Sequence, residues 1–203
     1  MTPPTALSTC PKEFQEHPLP YDDCSPPQPD FVKPEYRFRY FSLGHEINIP
    51  LYNPVDMSTR VGIYGLFRPH RFFGIGFSSD TDFSEELTFF GKAQADIWLD
   101  RYGMNRLQLA PLFGVRHLFS QNRPIDNGST ATPAVTGDIL SAGLEIGFQH
   151  NLLDWLSVGG FTRFLYSPKA DLSRVDNQQT VTVKEHPELM FGLRFGFELA
   201  PNN

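Results

Sequence analysis

Three places in this chain carry residues whose type and spacing suit chemistry. The first is Gly114-Val-Arg-His117-Leu-Phe-Ser120. A histidine within hydrogen-bond reach of a serine can act as base for a nucleophilic hydroxyl. Here two residues separate them, strand alternation puts them on opposite faces, and no outward carboxylate is expected nearby to orient His117. The second is acidic: Asp80-Thr-Asp82 with Glu85 and Glu86, and Asp126-Asn127-Gly128. Clustered loop carboxylates suit calcium, but these lack the spacing of a calcium loop, so solvated loop polarity is expected. The third is Cys10 with Cys24. Zinc needs about four ligands, and His17, Asp22 and Asp23 make a poor set. A disulfide would close a loop of about 15 residues, contribute ~3 kcal/mol and imply an oxidising compartment. Two free thiols are the other reading. No cofactor is expected.

The elements that must position these groups start after an unusual leader. Proline stands at 3, 4, 11, 18, 20, 26, 27, 29 and 34. Such a segment builds neither helix nor sheet, so residues 1–35 are expected to form an extended arm. Met1 is followed by no basic n-region and no apolar h-region. The chain is therefore either cytoplasmic or has lost a leader before Met1. Leu7-Ser-Thr-Cys10 only faintly resembles a lipoprotein cleavage box.

The whole chain has 203 residues, 40% of them hydrophobic and 20% charged, with a net charge of −6. Its mean hydropathy is −0.31 and its pI about 5.5. There is no basic footprint for nucleic acid. No stretch approaches the roughly 20 apolar residues of a spanning helix. Phe is 19, Gly 16 and Pro 18, which is aromatic and loop-rich for so few charges.

From Tyr36 the dominant period is two, which reads as strand. Eight segments fit: 36–49, 57–68, 71–79, 86–100, 105–120, 138–150, 154–167 and 187–199. Each is near or above the 9–11 residues that a tilted strand needs to cross a bilayer. Alternation gives each strand two faces. One runs Leu43, His45, Ile47; Val61, Ile63, Phe67; Phe73, Ile75, Phe77; Leu107, Leu109, Phe113, Val115, and onward to Phe191, Leu193, Phe195 and Phe197, with no Asp, Glu, Lys or Arg assigned to it. The other carries Glu46, Arg60, Arg68, Lys92, Asp96, Arg106, Arg116, Glu145, Arg163, Glu188, Arg194 and Glu198, interleaved with glycines.

Volume decides which face points inward. An eight-stranded barrel has an interior just wide enough for side chains to fill, so the large apolar set must face out, as a lipid-facing band. The glycines are then expected to make room inside for long Arg and Glu side chains. The interior network Glu46, Arg60, Lys92, Asp96, Arg116, Glu145, Arg163, Arg194 and Glu198 should be a solid, paired polar core, with a gate or solute path as the alternative. Connections alternate long and short, as in barrels with periplasmic turns and longer extracellular loops. This places both termini in the periplasm and loops 121–137 and 168–186 outside.

In architecture, residues 36–199 resemble the small eight-stranded outer-membrane barrels of the OmpA, OmpX and OmpW type. Leu189-Met-Phe-Gly-Leu-Arg-Phe-Gly-Phe-Glu-Leu199 looks like the terminal strand read by barrel-insertion machinery, although Ala200-Pro-Asn-Asn203 follows where such proteins usually stop on an aromatic. The resemblance implies contact with outer-membrane lipid and lipopolysaccharide. It implies no particular activity. The expected role is structural, adhesive or scaffolding, with residues 1–34 as a hook for a periplasmic protein; a narrow channel or carrier is the alternative. The His117–Ser120 stretch also resembles the His and Ser segment of lipid A deacylases. In that family one residue separates the pair and both share a face, so the departure here counts against an enzyme.

Five further residues carry expectations. His45 and His117 should be interfacial, near the extracellular ends of strands on opposite sides, and so form no joint site. Trp98 and Trp155 fall beside short turns, either packed inward at the rim or in an interfacial girdle. Pro111 has no N–H to give mid-strand, so a bulge, or else a misplaced strand boundary, is expected there.

Overall fold

The computed structural model describes residues 39–53, 58–100, 103–125 and 132–199. The chain divides into two units, Met1–Glu35 and Tyr36–Asn203. Cys10, Cys24, the rest of the first unit and the tail 200–203 lie outside the described residues, as does Asp126-Asn127-Gly128.

Every described element is a strand: β1 (Phe41–Tyr52), β2 (Arg60–His70), β3 (Phe73–Thr81), β4 (Glu86–Trp98), β5 (Asn105–Asn122), β6 (Ala134–Asn151), β7 (Leu156–Ser167), β8 (Ala170–Arg174), β9 (Thr180–Val183) and β10 (His186–Leu199). Neighbours run antiparallel in the order β5-β4-β3-β2-β1-β10-β7-β6, and β5 pairs with β6 to close the ring. Eight strands thus form a closed barrel, and closure removes the open edges that a flat sheet would leave.

The pleat sorts the side chains. Leu43, Ile63, Ile75, Phe89, Phe113, Leu144, Phe164 and Phe195 stand outside, while Arg60, Arg106, Arg116, Arg163, Glu86 and Glu145 are fully buried inside. One end of the barrel has tight connections. Asp100 carboxylate oxygens accept the N–H groups of Met104 (3.0 Å) and Asn105 (2.6 Å), beside Gly103 at φ +69°. At the other end Asp82 Oδ1 accepts the N–H groups of Ser84, Glu85 and Glu86 at 2.8–3.0 Å.

The structure corrects several sequence boundaries. Segment 168–186, expected to be a loop, contains the β8–β9 hairpin, which extends the sheet from the top of β6 through Val135–Arg174 and Thr136–Ser173. Leu118, Val135, Ile139, Leu172 and Val183 form a small apolar core beneath it, and each such burial contributes roughly 1.5–3 kcal/mol. This core is why β5 and β6 run on to Asn122 and back from Ala134. No bulge occurs at Pro111. It stays in register with Leu144 on β6, and on the β4 side pairing lapses between Lys92–Leu112 and Ala95–Leu109, where its missing N–H would fall. The bulge lies higher, between Leu118 and Gln121.

The glycines serve a different purpose from the one expected. A Cβ on Gly44, Gly76 or Gly114 would run into the neighbouring strand's carbonyl, of Phe195, Gly65 and Phe89 respectively. Tight curvature therefore excludes even a methyl group on the inner surface there. On β10 the room goes to aromatic rings, with Phe161 lying over Gly192 and Tyr64 over Gly196. Gly74, beside Arg68 Cγ, is one place where an arginine uses the space.

Candidate functional site

The interior charges stack in three tiers. In the middle tier, direct cross-strand partners are ion pairs: Glu46 faces Arg194 across β1–β10, and Glu145 faces Arg163 across β6–β7. Arg163 meets Glu145 at 2.7 Å, Glu46 at 3.0 Å and Asp80 at 3.1 Å. Arg194 bridges Glu46 and Glu145, both at 3.0 Å, and Lys92 reaches Glu145 at 3.3 Å. The Arg194 guanidinium lies 4.5 Å from the Tyr64 ring centre and 4.4 Å from that of Phe161. Those are the two rings that the β10 glycines admit.

Above it, Arg116 binds Glu86 (2.6 Å) and Glu188 (3.0 Å), Arg60 joins the same two carboxylates, and Arg123 stands 3.9 Å from Glu86. Burial and the adjacent Arg116 push the Arg123 guanidinium, which follows β5, down to about 10. Below it, Arg68 pairs with Asp96 (3.0 Å) and Glu198 (3.2 Å), and Arg106 with Glu198 (2.8 Å). Ser42 and Gln149 also donate to Glu198. Phe90, Leu112, Leu165 and Met190 form an apolar patch on the inner wall.

All nine residues singled out for the interior network lie inside and have ionic partners there. The sequence reading missed Asp80, Glu86 and Arg123. Asp80 falls just past the predicted strand 71–79, but β3 reaches Thr81; Glu86 opens the predicted strand 86–100 yet was counted with the loop acids, and alternation turns both inward. The stretch is therefore neither the solvated loop polarity expected nor a calcium loop: Asp80 and Glu86 are buried on Arg163 and Arg116, and Asp82 caps the turn. Among the described residues no three His, Cys, Asp or Glu side chains are grouped to hold a metal ion. These carboxylates serve arginines, and what the arrangement does is bind strands to one another.

The exterior holds a second constellation. His117 Nδ1 lies 2.6 Å from Asp138 Oδ1, and the two are direct cross-strand partners on β5 and β6. An outward carboxylate does orient His117, contrary to the sequence expectation: Asp138 opens the predicted strand 138–150 on the outward parity of Leu140 and lies directly opposite His117. Asp138 is also a third ionisable group on a face that was expected to hold only His45 and His117. The bulge above Leu118 places Phe119 and Ser120 both on the exposed side, so Ser120 shares the face of His117 after all. Phe119 packs edge-on against the imidazole at 4.8 Å. An aspartate on Nδ1 leaves Nε2 as the basic nitrogen.

His45 sits in mid-strand, between exposed Leu43 and Ile47 and opposite Ile63 and Phe195. It is not near the strand end, because β1 continues to Tyr52. Four strand positions separate β1 from β5, so His45 and His117 form no joint site. Trp155 faces outward, stacked on Phe197 at 5.9 Å. Trp98 is half-buried and donates Nε1–H to the Arg71 carbonyl at 2.7 Å.

Fold and side-chain sorting together define a class: a small, closed, eight-stranded antiparallel β-barrel, polar inside and apolar outside. No family model matches the chain, and no curated protein matches it in sequence. Among solved structures it is similar to the crystal structure of Neisserial surface protein A (NspA), with 13% identity, TM-score 0.46, and coverage of 76% of this chain and 94% of that one.

Proposed function

We propose that this chain is an integral outer-membrane barrel with a structural, adhesive or scaffolding role. The observation that carries the reading is the inverted sorting. A belt including Leu43, Ile63, Ile75, Phe89, Phe113, Leu144, Phe164 and Phe195 is exposed, while the arginines of the same strands are buried. A soluble protein rarely leaves so large an apolar surface in water, whereas a bilayer is its natural solvent. In this reading lipopolysaccharide and phospholipid cover the belt. The termini are periplasmic, loops 121–137 and 168–186 face outward, and strand 187–199 addresses the insertion machinery. Residues 1–34 serve as a periplasmic hook. The test is fractionation with heat-modifiable migration in detergent gels. A membrane-bound, heat-shifted species is expected, and recovery in the soluble fraction without detergent would overturn the reading.

The three buried tiers speak against the channel alternative, since arginines and rings occupy the lumen. Planar-bilayer recording should show no steady conductance. Sustained single-channel steps would favour the channel instead.

One observation favours a second reading, hydrolysis of an acyl ester at the outer surface. His117 is held by Asp138 at 2.6 Å, and Ser120 is exposed on the same side. In this scheme Ser120 attacks the ester carbonyl and His117 takes the hydroxyl proton, passing it to the departing alkoxide. Water then hydrolyses the acyl-serine. Mass spectrometry of lipopolysaccharide from cells with wild-type protein or Ser120→Ala decides it. Identical acylation in both would sink the reading.

A further inference from the structure

The outward row His45–Ile63–Ser79–Phe89 runs in register across β1, β2, β3 and β4. Ser79 and, two residues on, Thr81 are short where their neighbours are large, so the belt dips here. The dip is a groove of about 320 Å³, bordered by His45, Ile63, Phe83 and Leu87. Phe83 overhangs it from the β3–β4 turn, at φ +65° and 81% exposed. A bulky residue adopts that backbone region only under strain. Here Thr81 Oγ1 holds it by accepting the Phe83 N–H at 2.9 Å.

The polar groups of the groove differ in one respect. Ser79 Oγ donates to the Thr88 carbonyl (2.7 Å) and Thr81 Oγ1 to the Glu86 carbonyl (2.8 Å), so both hydroxyls are spent within the protein. The His45 ring has no hydrogen-bonding partner among the described residues, and its neighbours along and across the strands are apolar. A polar group withdrawn from water without a partner is costly. His45 itself is exposed on the outer face, so where a bilayer covers the belt its partner comes from outside the barrel. The groove opens onto the exposed belt at Val61, Ile63 and Leu87, at the end of the barrel that carries the longer connections.

We propose that this groove seats one acyl chain of lipopolysaccharide, with the His45 imidazole hydrogen-bonded to an oxygen of that chain and Phe83 closing over it. The inference rests on the reading of the belt as bilayer-facing.

The test is photolabelling of the full chain, refolded into phosphatidylethanolamine vesicles that contain lipopolysaccharide with a diazirine on its acyl chains. Adducts are expected on Ile63, Phe83 and Leu87, several-fold above those on Phe113 and Ile146 of β5 and β6. They should fall to that background in Ser79→Phe, which fills the groove, and drop in His45→Leu. In a second arm, phosphatidylethanolamine carrying the same label should mark the belt evenly. Even labelling by lipopolysaccharide, or labelling that survives Ser79→Phe, would overturn the proposal. So would equal concentration of the phosphatidylethanolamine label in the groove, or cross-links between two barrels through Phe83. A heat-modifiable shift is scored first on every variant. A chain that never enters the vesicles would overturn the membrane reading itself, and the seat with it.

Discussion

Glu145 and Arg163 face each other directly across the β6–β7 ladder and meet at 2.7 Å, both fully buried. Glu145 also takes Arg194 and Lys92, so it is the carboxylate on which three cations depend. Removing one partner of a buried pair leaves uncompensated charge and costs about 3–5 kcal/mol. Glu145→Gln should lower the urea-unfolding free energy of the detergent-solubilised barrel by that order, and its midpoint far more than Asp171→Asn does, where the carboxylate merely accepts from Thr182 on the exposed hairpin. Equal midpoints would show that the middle tier contributes little.

Gly192 should tolerate no side chain while Phe161 lies over it. Gly192→Val forces the ring out of its place beside Arg194, and overpacking of this kind costs about 1–3 kcal/mol. Combining it with Phe161→Leu should recover part of that loss. A double variant no better than the single would mean that the ring is not the obstacle.

Trp155 lies outside against Phe197, whereas Trp98 is tied to the Arg71 carbonyl with Arg106 5.4 Å from its ring centre. Brominated lipids should therefore quench Trp155 far more than Trp98. Trp155→Phe is expected to abolish most of the quenching. If Trp98→Phe abolished it instead, the assignment of faces near the lower rim would be wrong.

Leu172 anchors the β8–β9 hairpin on Leu118, Val135 and Ile139. Leu172→Ala removes about 2–5 kcal/mol of core packing, and this small core lies above the barrel proper. Limited proteolysis should then cut faster within 174–179 while the heat-modifiable shift stays. Loss of the shift would mean that the hairpin core supports the barrel itself.

Much of this architecture was legible in the sequence because the information has period two. Leu107 through Val115 alternates so regularly that the outward face of β5 could be read without any structure. What escaped was whatever broke or extended that period. Asp80 escaped because the end of β3 is set by turn chemistry, here the carboxylate of Asp82, which hydropathy does not register. Ser120 was put on the wrong face because the bulge above Leu118 shifts the count by one, and no glycine or proline marks it. Asp138 opens the predicted strand 138–150, but its partnership with His117 depends on the β5–β6 register, which alternation along one strand does not fix. The uses of Gly192 and Gly196 depend on rings from β7 and β2, and a linear reading cannot pair them.

The middle tier draws its six charges from six strands: Glu46 from β1, Asp80 from β3, Lys92 from β4, Glu145 from β6, Arg163 from β7 and Arg194 from β10. The β6–β7 hairpin carries its own pair, Glu145 with Arg163, and β3–β4 carries Asp80 and Lys92, but Glu46 and Arg194 meet only where β1 closes on β10. A partly rolled sheet, or one closed in the wrong register, would strand charges in its lumen and be driven back open. The Glu46–Arg194 pair across β1–β10 is thus a mark that the first and last strands have met in the correct alignment.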